Sequence, residues 1–209
     1  MTDGFNSKEY WEERYRNGGN SGGGSYDRLA EFKAEIVNAF VEKNRICSVV
    51  EWGCGDGNQL SLMQYEDYLG LDVSETAIRI CREHFRGDEK KQFEYYDGKR
   101  KKIDPTRDMA VSLDVIYHLA EDAVYEHYMD NLFASSHKYV CIYSSNYERK
   151  WKQSHVRRRV FTEYVEKRFP EWKLITHIPN RYPAVKGVAD PGTSNSEFYF
   201  YQLEDQNDI

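Results

Sequence analysis

The sequence has few cysteines and prolines and no long apolar run. Its 209 residues contain four cysteines and five prolines. No two cysteines show the Cys-x-x-Cys spacing of a zinc ribbon or a thioredoxin-like site, so we expect all four to pack as small apolar residues. No apolar run approaches the roughly 18 residues that a membrane-spanning helix needs. These absences argue against a structural zinc site and against a membrane span.

The N-terminal residues and the net charge restrict where the protein acts and what it binds. Met1-Thr2-Asp3-Gly4 has neither the basic start nor the apolar core of a signal peptide. We therefore expect a cytoplasmic protein. The net charge is −6, and the field of an acidic protein does not attract nucleic acid in general. A nucleic-acid partner is not expected from the charge of the whole molecule.

Segments typical of strands and helices alternate along the chain. Short apolar segments typical of buried strands lie at residues 46–51, 68–72, 93–97, 108–114, 139–143, 172–176 and 198–203. Helical periodicity or a helix N-cap marks residues 10–15, 27–44, 74–85, 122–135 and 161–169. This alternation predicts an α/β fold with a seven-stranded, mostly parallel sheet and helices on both faces. A loop without a helix joins the last two strands, so we expect the terminal strand to be antiparallel.

The first 45 residues differ in character from the rest of the chain. Residues 1–25 are polar, aromatic and glycine-rich, which leaves two interpretations. One is a disordered tail. The other, favoured by Tyr10 and Trp11, is a short helix that docks on the protein. We expect an N-terminal lid and helix at 1–45 and the main domain at 46–209, which together form one compact domain.

A glycine-rich turn follows the first predicted strand. Gly53-Cys54-Gly55-Asp56-Gly57 lies at a strand end, where open α/β sheets bind ligands. Glycines there let the backbone approach a ligand closely. The dinucleotide pattern Gly-x-Gly-x-x-Gly fails because position 58 is Asn58. An acid two residues before the turn, Glu51, suits a cationic ligand better than a pyrophosphate.

Four consecutive predicted strands end in acids, namely Glu51, Asp72, Asp97 and Asp114. Aspartate favours the turns that follow strands, so chance is one explanation. The other explanation is a ligand site at the carboxyl edge of the sheet. There Asp72 could accept hydrogen bonds from both hydroxyls of a ribose.

Four segments lie at the carboxyl ends of the first four predicted strands. They are residues 49–57, 70–74, 96–98 and 113–119. In combination they resemble the motifs of class I S-adenosylmethionine-dependent methyltransferases, and the resemblance covers about 50–205. It implies a Rossmann-like fold, a methyl-transferring enzyme and S-adenosylmethionine as cofactor. The layout is also similar to that of small bacterial methyltransferases linked to sugar or capsule metabolism.

The resemblance implies a set of cofactor-binding residues. They are Tyr10, Trp11, Arg14, Tyr15, Glu51, Gly53, Cys54, Gly55, Asp72, Val73, Asp97, Gly98, Leu113 and Asp114. The residues of the first strand and its glycine turn should line the methionine part of the cofactor. Asp72 should bind the ribose, Val73 should pack on the adenine, and Asp97 should accept a hydrogen bond from the adenine amino group. Leu113 and Asp114 should lie beside the sulfonium.

The aromatic residues of 10–15 are candidates for the lid that the family often places over its cofactor. Arg14 could pair with the methionine carboxylate in a charge-assisted contact. The alternative for Arg14 is a solvated helix face.

His118 and Tyr117 are the candidate catalytic residues. His118 follows the fourth strand, where donor and acceptor meet in the resembled fold, and histidine suits general-base chemistry near neutral pH. Alternatively, His118 packs under the loop or caps the next helix. Tyr117 could orient the acceptor or form a wall of the pocket. Ser144-Ser145-Asn146 lacks the Asp-Asn pair of metal-dependent relatives, so we expect no catalytic metal.

A basic segment at 149–159 follows the fifth strand and contains no acid. Arginine favours planar anions such as phosphate and carboxylate. We therefore expect His155, Arg157 and Arg159 to bind a small anionic acceptor, with Arg181 and Tyr182 closing over it from the proline-rich loop. The alternative is a solvated helix start.

Two further functions stay open at this point. An RNA methyltransferase could use residues 149–159 as its phosphate contact, although the negative net charge speaks against it. The fold could also serve as a non-catalytic partner subunit, although the intact glycine turn and Asp72 speak against that. The leading hypothesis is a methyltransferase that modifies an oxygen or nitrogen atom of a small, anionic molecule. The sequence predicts no particular oligomeric state.

Overall fold

The computed structural model describes residues 5–149 and 155–204. Its helices are α1 Ser7–Arg16, α2 Asp27–Asn44, α3 Glu75–His84, α4 Asp122–Ala134 and α5 Phe161–Arg168. Its strands are β1 Ser48–Trp52, β2 Asp67–Asp72, β3 Lys91–Tyr95, β4 Arg107–Leu113, β5 Ser136–Ser144, β6 Trp172–Ile178 and β7 Glu197–Leu203. Each strand and helix overlaps a segment predicted to be of that type.

The seven strands form one sheet in the order β3-β2-β1-β4-β5-β7-β6. The five strands from β3 to β5 pair in parallel. β7 is antiparallel to both of its neighbours, β5 and β6. The predicted Rossmann-like sheet with an antiparallel terminal strand is therefore confirmed. The strand order reverses between β1 and β4, and the crevice at this reversal is where such sheets bind ligands.

The apolar residues of β1 alternate between two hydrophobic clusters. Val50 and Trp52 pack with residues of α4 and α5, whereas Val49 packs with residues of α2 and α3. Neighbouring residues of a strand point to opposite faces, so both faces of the sheet are covered. A strand buried on both faces is a continuous apolar run, so β1 could be predicted from the sequence. The division of the chain at 45/46 stays a prediction.

Side-chain caps begin the two helices that border the site. Ser74 Oγ accepts a hydrogen bond from the Ala77 amide at 3.0 Å, which confirms the predicted N-cap of α3. Asn6 Oδ1 accepts one from the Glu9 amide at 3.1 Å and begins α1. Residues 7–16 therefore form the short helix, and the disordered-tail interpretation fails for them.

The cysteines are free thiols in two environments. Cys54, Cys81 and Cys141 are buried as predicted, but Cys47 is exposed, because it precedes β1 at the edge of the core. Across the part of the chain that the structure describes, no helix combines the length and apolarity required to cross a bilayer.

Candidate functional site

A cavity of about 470 Å³ lies at the carboxyl ends of β1, β2 and β4. Its size falls within the range of small-molecule sites, which is about 300 to 1,000 Å³. The predicted site residues that line it are Trp11, Tyr15, Glu51, Gly53, Cys54, Gly55, Asp72, Val73, Asp97, Gly98, Leu113, Asp114 and His118. The fold thus brings together most of the residues predicted to bind a cofactor. Residues of α1 form one wall.

The glycine turn closes tightly against the N-terminal segment. Gly55 has a φ of 58°, in the left-handed region that favours glycine. A Cβ at this position would lie 2.9 Å from the Tyr15 hydroxyl and closer still to Ser21 Oγ. Tyr15 and Ser21 are themselves hydrogen-bonded at 2.9 Å. The turn therefore needs glycine both for its conformation and for the approach of the chain that covers it.

Glu51 is a buried carboxylate at the end of β1. Tyr68 donates a hydrogen bond of 2.7 Å to Glu51 Oε2. Burial raises the pKa of Glu51 to about 7, although this hydrogen bond and the positive charge of Lys33 oppose the rise. A ligand ammonium group would supply the counter-charge that this carboxylate needs in a desolvated site.

Asp72 ends β2 and is also buried. It accepts hydrogen bonds of 2.9 Å from the Gly55 amide at Oδ2 and from the Ser74 amide at Oδ1. Burial raises the pKa of Asp72 to about 6, and these backbone hydrogen bonds limit the rise. The two amides fix the orientation of the carboxylate at the cavity wall, as a hydroxyl-binding residue requires.

Asp97 differs from the other strand-end acids because it is exposed. The Lys99 amide donates to Asp97 Oδ1 at 3.0 Å. This hydrogen bond lowers the pKa of Asp97, so the carboxylate is charged at neutral pH. Asp97 lines the cavity from the turn after β3.

Asp114 is the centre of a polar network at the end of β4. Lys33 of α2 is completely buried, and its Nζ lies 2.9 Å from Asp114 Oδ2. Asp114 Oδ1 accepts hydrogen bonds from Tyr117 at 3.1 Å and from Ser196 Oγ at 2.9 Å. Asp114 has a left-handed backbone with a φ of 59°, a strain that persists where surrounding contacts hold the residue.

His118 lines the cavity beside α1. Its ring lies 5.0 Å from Trp11 in an edge contact and 4.4 Å from Tyr117. His118 Nδ1 is 3.2 Å from the backbone oxygen of His155. Burial lowers the pKa of His118 to about 4, so its ring is neutral at pH 7.

Three predicted residues lie beside the cavity without lining it. Tyr10 stacks on the His155 ring at 5.0 Å. Arg14 donates through Nε to the Asn20 carbonyl at 2.6 Å, so it holds the turn after α1. Tyr117 contacts the cavity indirectly, through its hydrogen bond to Asp114.

The predicted acceptor-binding arginines are engaged elsewhere. Arg157 and Arg159 both pair with Asp122, at 2.8 and 3.1 Å. They also donate to the carbonyl oxygens of Ala120 and Leu119, at 3.2 and 2.8 Å. Neither lines the described cavity, because both are used to hold the loop between β4 and α4. Residues 150–154 of the predicted basic segment lie outside the described residues.

Arg181 and Tyr182 pack on α2 and do not line the described cavity. Arg181 forms two hydrogen bonds with Glu35, of 2.7 and 2.6 Å. The Tyr182 ring lies 6.2 Å from Phe32. Their predicted closure over an acceptor is not seen in this arrangement, since α2 provides an anion and an aromatic partner for the pair.

Two important residues were missed in the sequence. Lys33 lies four residues from both Leu29 and Val37, on the buried face of α2. A lysine on such a face indicates a buried partner of opposite charge. Glu12 accepts hydrogen bonds from Ser74 and Thr76 at the start of α3. Nothing in the local pattern distinguishes Glu12 from a solvated helix residue.

Among the described residues, no group of three or more histidine, cysteine, aspartate or glutamate side chains could hold a metal ion. The absence of a catalytic metal stays a prediction.

Comparison with known proteins finds a family model that matches part of the chain. Residues 50–134 match a family model described as a methyltransferase domain. No curated protein matches the sequence significantly.

Solved structures share the fold at low sequence identity. The N-methyltransferase NodS from Bradyrhizobium japonicum WM9, solved with S-adenosylhomocysteine, is 11% identical, with a TM-score of 0.72 over 96% of this chain and 100% of NodS. Magnesium protoporphyrin IX methyltransferase from Synechocystis PCC 6803 is 13% identical, with a TM-score of 0.65 over 94% and 98%. The small RNA methyltransferase HEN1 is 16% identical, with a TM-score of 0.64 over 87% of this chain but 26% of HEN1.

Proposed function

We propose that this chain is a class I S-adenosylmethionine-dependent methyltransferase and that it methylates an oxygen or nitrogen atom of a small-molecule acceptor. The cofactor supplies an activated methyl group on a sulfonium centre. The protein then has to hold donor and acceptor in line and control the proton of the acceptor.

The residues around the cavity fit a cofactor with this charge and shape. The described lining carries five carboxylates, on Glu51, Asp72, Asp97, Asp114 and Glu121, and two lysines. An ammonium and a sulfonium group are favoured in such surroundings. Glu51 would hold the ammonium group and Asp72 the ribose hydroxyls.

The contact between His118 Nδ1 and the backbone oxygen of His155 is the observation that carries the proposal. The backbone oxygen of His155 can only accept a hydrogen bond, so His118 Nδ1 must carry the proton of the neutral ring. Nε2 therefore has a lone pair, and it has no hydrogen-bond partner among residues 5–149 and 155–204. A lone pair at this cavity wall can accept the proton or hydrogen bond of an acceptor hydroxyl or amine. This arrangement supports His118 in the role of base.

An anionic acceptor has less support than the sequence suggested. Arg157 and Arg159 are already paired with Asp122, and most of the charged residues in the described cavity lining are acids. We therefore propose that the methylated atom belongs to a neutral hydroxyl or amine group. That the rest of the acceptor is anionic stays a prediction.

The proposal is tested by measuring formation of S-adenosylhomocysteine with two acceptor pools, a low-molecular-weight cell extract and total RNA. We expect turnover with the small-molecule pool. His118→Ala should lower that turnover on the order of 100-fold and leave cofactor affinity nearly unchanged. His84→Ala, on the exposed face of α3, is the control. Equal losses of turnover and cofactor affinity in His118→Ala would remove His118 as the base.

RNA is the second candidate acceptor because the fold is also that of HEN1, whose name specifies small RNA. Turnover with total RNA alone would favour it. Binding to RNA should then weaken steeply with salt, since each neutralised phosphate releases counterions. Cofactor binding without turnover on either pool would favour a non-catalytic partner subunit instead.

A further inference from the structure

The helix α1 forms one wall of the cavity and is hydrogen-bonded to other elements through Ser7 at its start and Glu12 near its middle. Ser7, Lys8, Trp11 and Tyr15 line the cavity from this helix. Their spacing puts them on one face, one turn above another. Movement of α1 would therefore open this side of the cavity.

Glu12 fastens α1 to the start of α3. Its Oε2 accepts hydrogen bonds from Ser74 Oγ at 2.7 Å and from the Thr76 amide at 3.2 Å, and its Oε1 accepts one from Thr76 Oγ1 at 2.8 Å. Amides at a helix N-terminus lack partners within the helix, and the helix dipole favours a negative charge there. Burial alone would raise the pKa of Glu12, but these hydrogen bonds, together with one of 3.2 Å from Arg16, outweigh it and lower the pKa to about 2.

The groups that bind Glu12 belong to the ribose-binding turn. The amide of Ser74 donates to Asp72 Oδ1, and the hydroxyl of Ser74 donates to Glu12. One fully buried residue therefore connects the lid helix to the carboxylate assigned to the ribose. At the start of α1, the Ser7 amide and hydroxyl donate to Glu121 Oε1 at 2.9 and 3.2 Å.

We propose that Glu12 is a positioning residue that fastens α1 to the ribose-binding turn and thereby sets the rate at which S-adenosylmethionine enters and S-adenosylhomocysteine leaves. This inference rests on the cofactor assignment above. Loss of the Glu12 charge weakens the contact between α1 and the start of α3, both in the free protein and in the ligand complex. Association and dissociation then accelerate together, while the dissociation constant changes little, because opening precedes both steps.

A merely structural role for Glu12 makes a different prediction. A loosened site would release its ligand faster and bind it more weakly, but association would not accelerate. The association rate constant therefore distinguishes the two roles.

The experiment is stopped-flow binding of S-adenosylhomocysteine to the full chain, followed by tryptophan fluorescence, for which Trp11 at the cavity wall is a reporter. We expect Glu12→Gln to raise both rate constants about tenfold. Glu13→Gln, at the exposed neighbouring position, is the matched control and should leave both unchanged. Thr76→Val removes one donor from the other side and should raise both rates by a smaller factor, so the test survives if Glu12→Gln folds poorly.

The outcomes separate this inference from the proposed function. An unchanged association rate constant in both Glu12→Gln and Thr76→Val would overturn the role of Glu12, while wild-type binding would leave the cofactor assignment intact. Absence of binding by folded wild-type protein would overturn both. Parallel acceleration of both rates in the two variants, and not in Glu13→Gln, would support the inference.

Discussion

The buried ion pair between Lys33 and Asp114 gives a sharp prediction about stability. Lys33→Met keeps a side chain of similar length but leaves Asp114 without its counter-charge. Breaking one partner of a buried ion pair costs about 3 to 5 kcal/mol. The lower end applies here, because the Asp114 side chain is 11% exposed and keeps hydrogen bonds from Tyr117 and Ser196.

A loss of about 3 kcal/mol should lower the melting temperature by roughly 6 to 12 °C for a chain of this size. The assay is urea unfolding without ligand, and the free energies of unfolding are compared at a common slope of free energy against urea concentration. The double variant Lys33→Met/Asp114→Asn contains neither charge and should recover most of the loss. Lys43→Met, at an exposed position on the same helix, should change stability little.

The double-mutant cycle, which also includes the single variant Asp114→Asn, decides the question, because it isolates the interaction of the two side chains. If Lys33→Met and the double variant are equally unstable, the cost comes from repacking around residue 33. The ion pair would then not be what holds Asp114 in place. A loss below about 1 kcal/mol in Lys33→Met would refute the reasoning outright, since that is the range of exposed pairs.

Two further predictions concern the first strand and its turn. The pKa of Glu51 is raised to about 7 in the folded protein. Between the lower pKa of the unfolded chain and pH 7, the native state therefore holds a proton that the unfolded state has lost. The free energy of unfolding falls as pH rises through this range. Glu51→Gln lacks this loss, so its stability relative to wild type should increase by roughly 2 to 3 kcal/mol from pH 5 to pH 8 in urea unfolding; a constant difference would contradict the raised pKa. Gly55→Ala adds a clash with Tyr15 to backbone strain, whereas Gly87→Ala, with φ of 88° and no atom near its Cβ, carries strain of about 1 kcal/mol alone. Calorimetry should therefore find cofactor binding lost in Gly55→Ala and intact in Gly87→Ala, and equal binding would show that the cover over the turn can move.

The strands and most of the residues that line the cavity were largely predictable from local patterns. Val49 and Val50 begin a strand buried on both faces, and such strands are apolar at every position. Asp72 and Gly55 could be selected because parallel strands end at one edge of the sheet, so residues that follow different strands meet there. The N-cap at Ser74 needed only its own helix.

The acceptor end was less predictable because its residues depend on partners far along the chain. Arg157 and Arg159 have the composition of an anion site, but Asp122, brought near by α4, takes up both guanidinium groups. Lys33 is 81 positions away from Asp114 in the sequence. No periodicity relates residues at that separation.

The sequence by itself determined the order of strands and helices, the glycine turn and the acids that end the strands, because backbone periodicity and turn chemistry are local properties. Only the tertiary structure decided which charges are paired. It engaged the predicted acceptor arginines within the fold, buried Lys33 against Asp114, placed His118 in the cavity lining, and hydrogen-bonded Glu12 to Ser74 and Thr76. Electrostatic and hydrogen-bond energies depend on distance and burial, and those quantities exist only once the chain has folded.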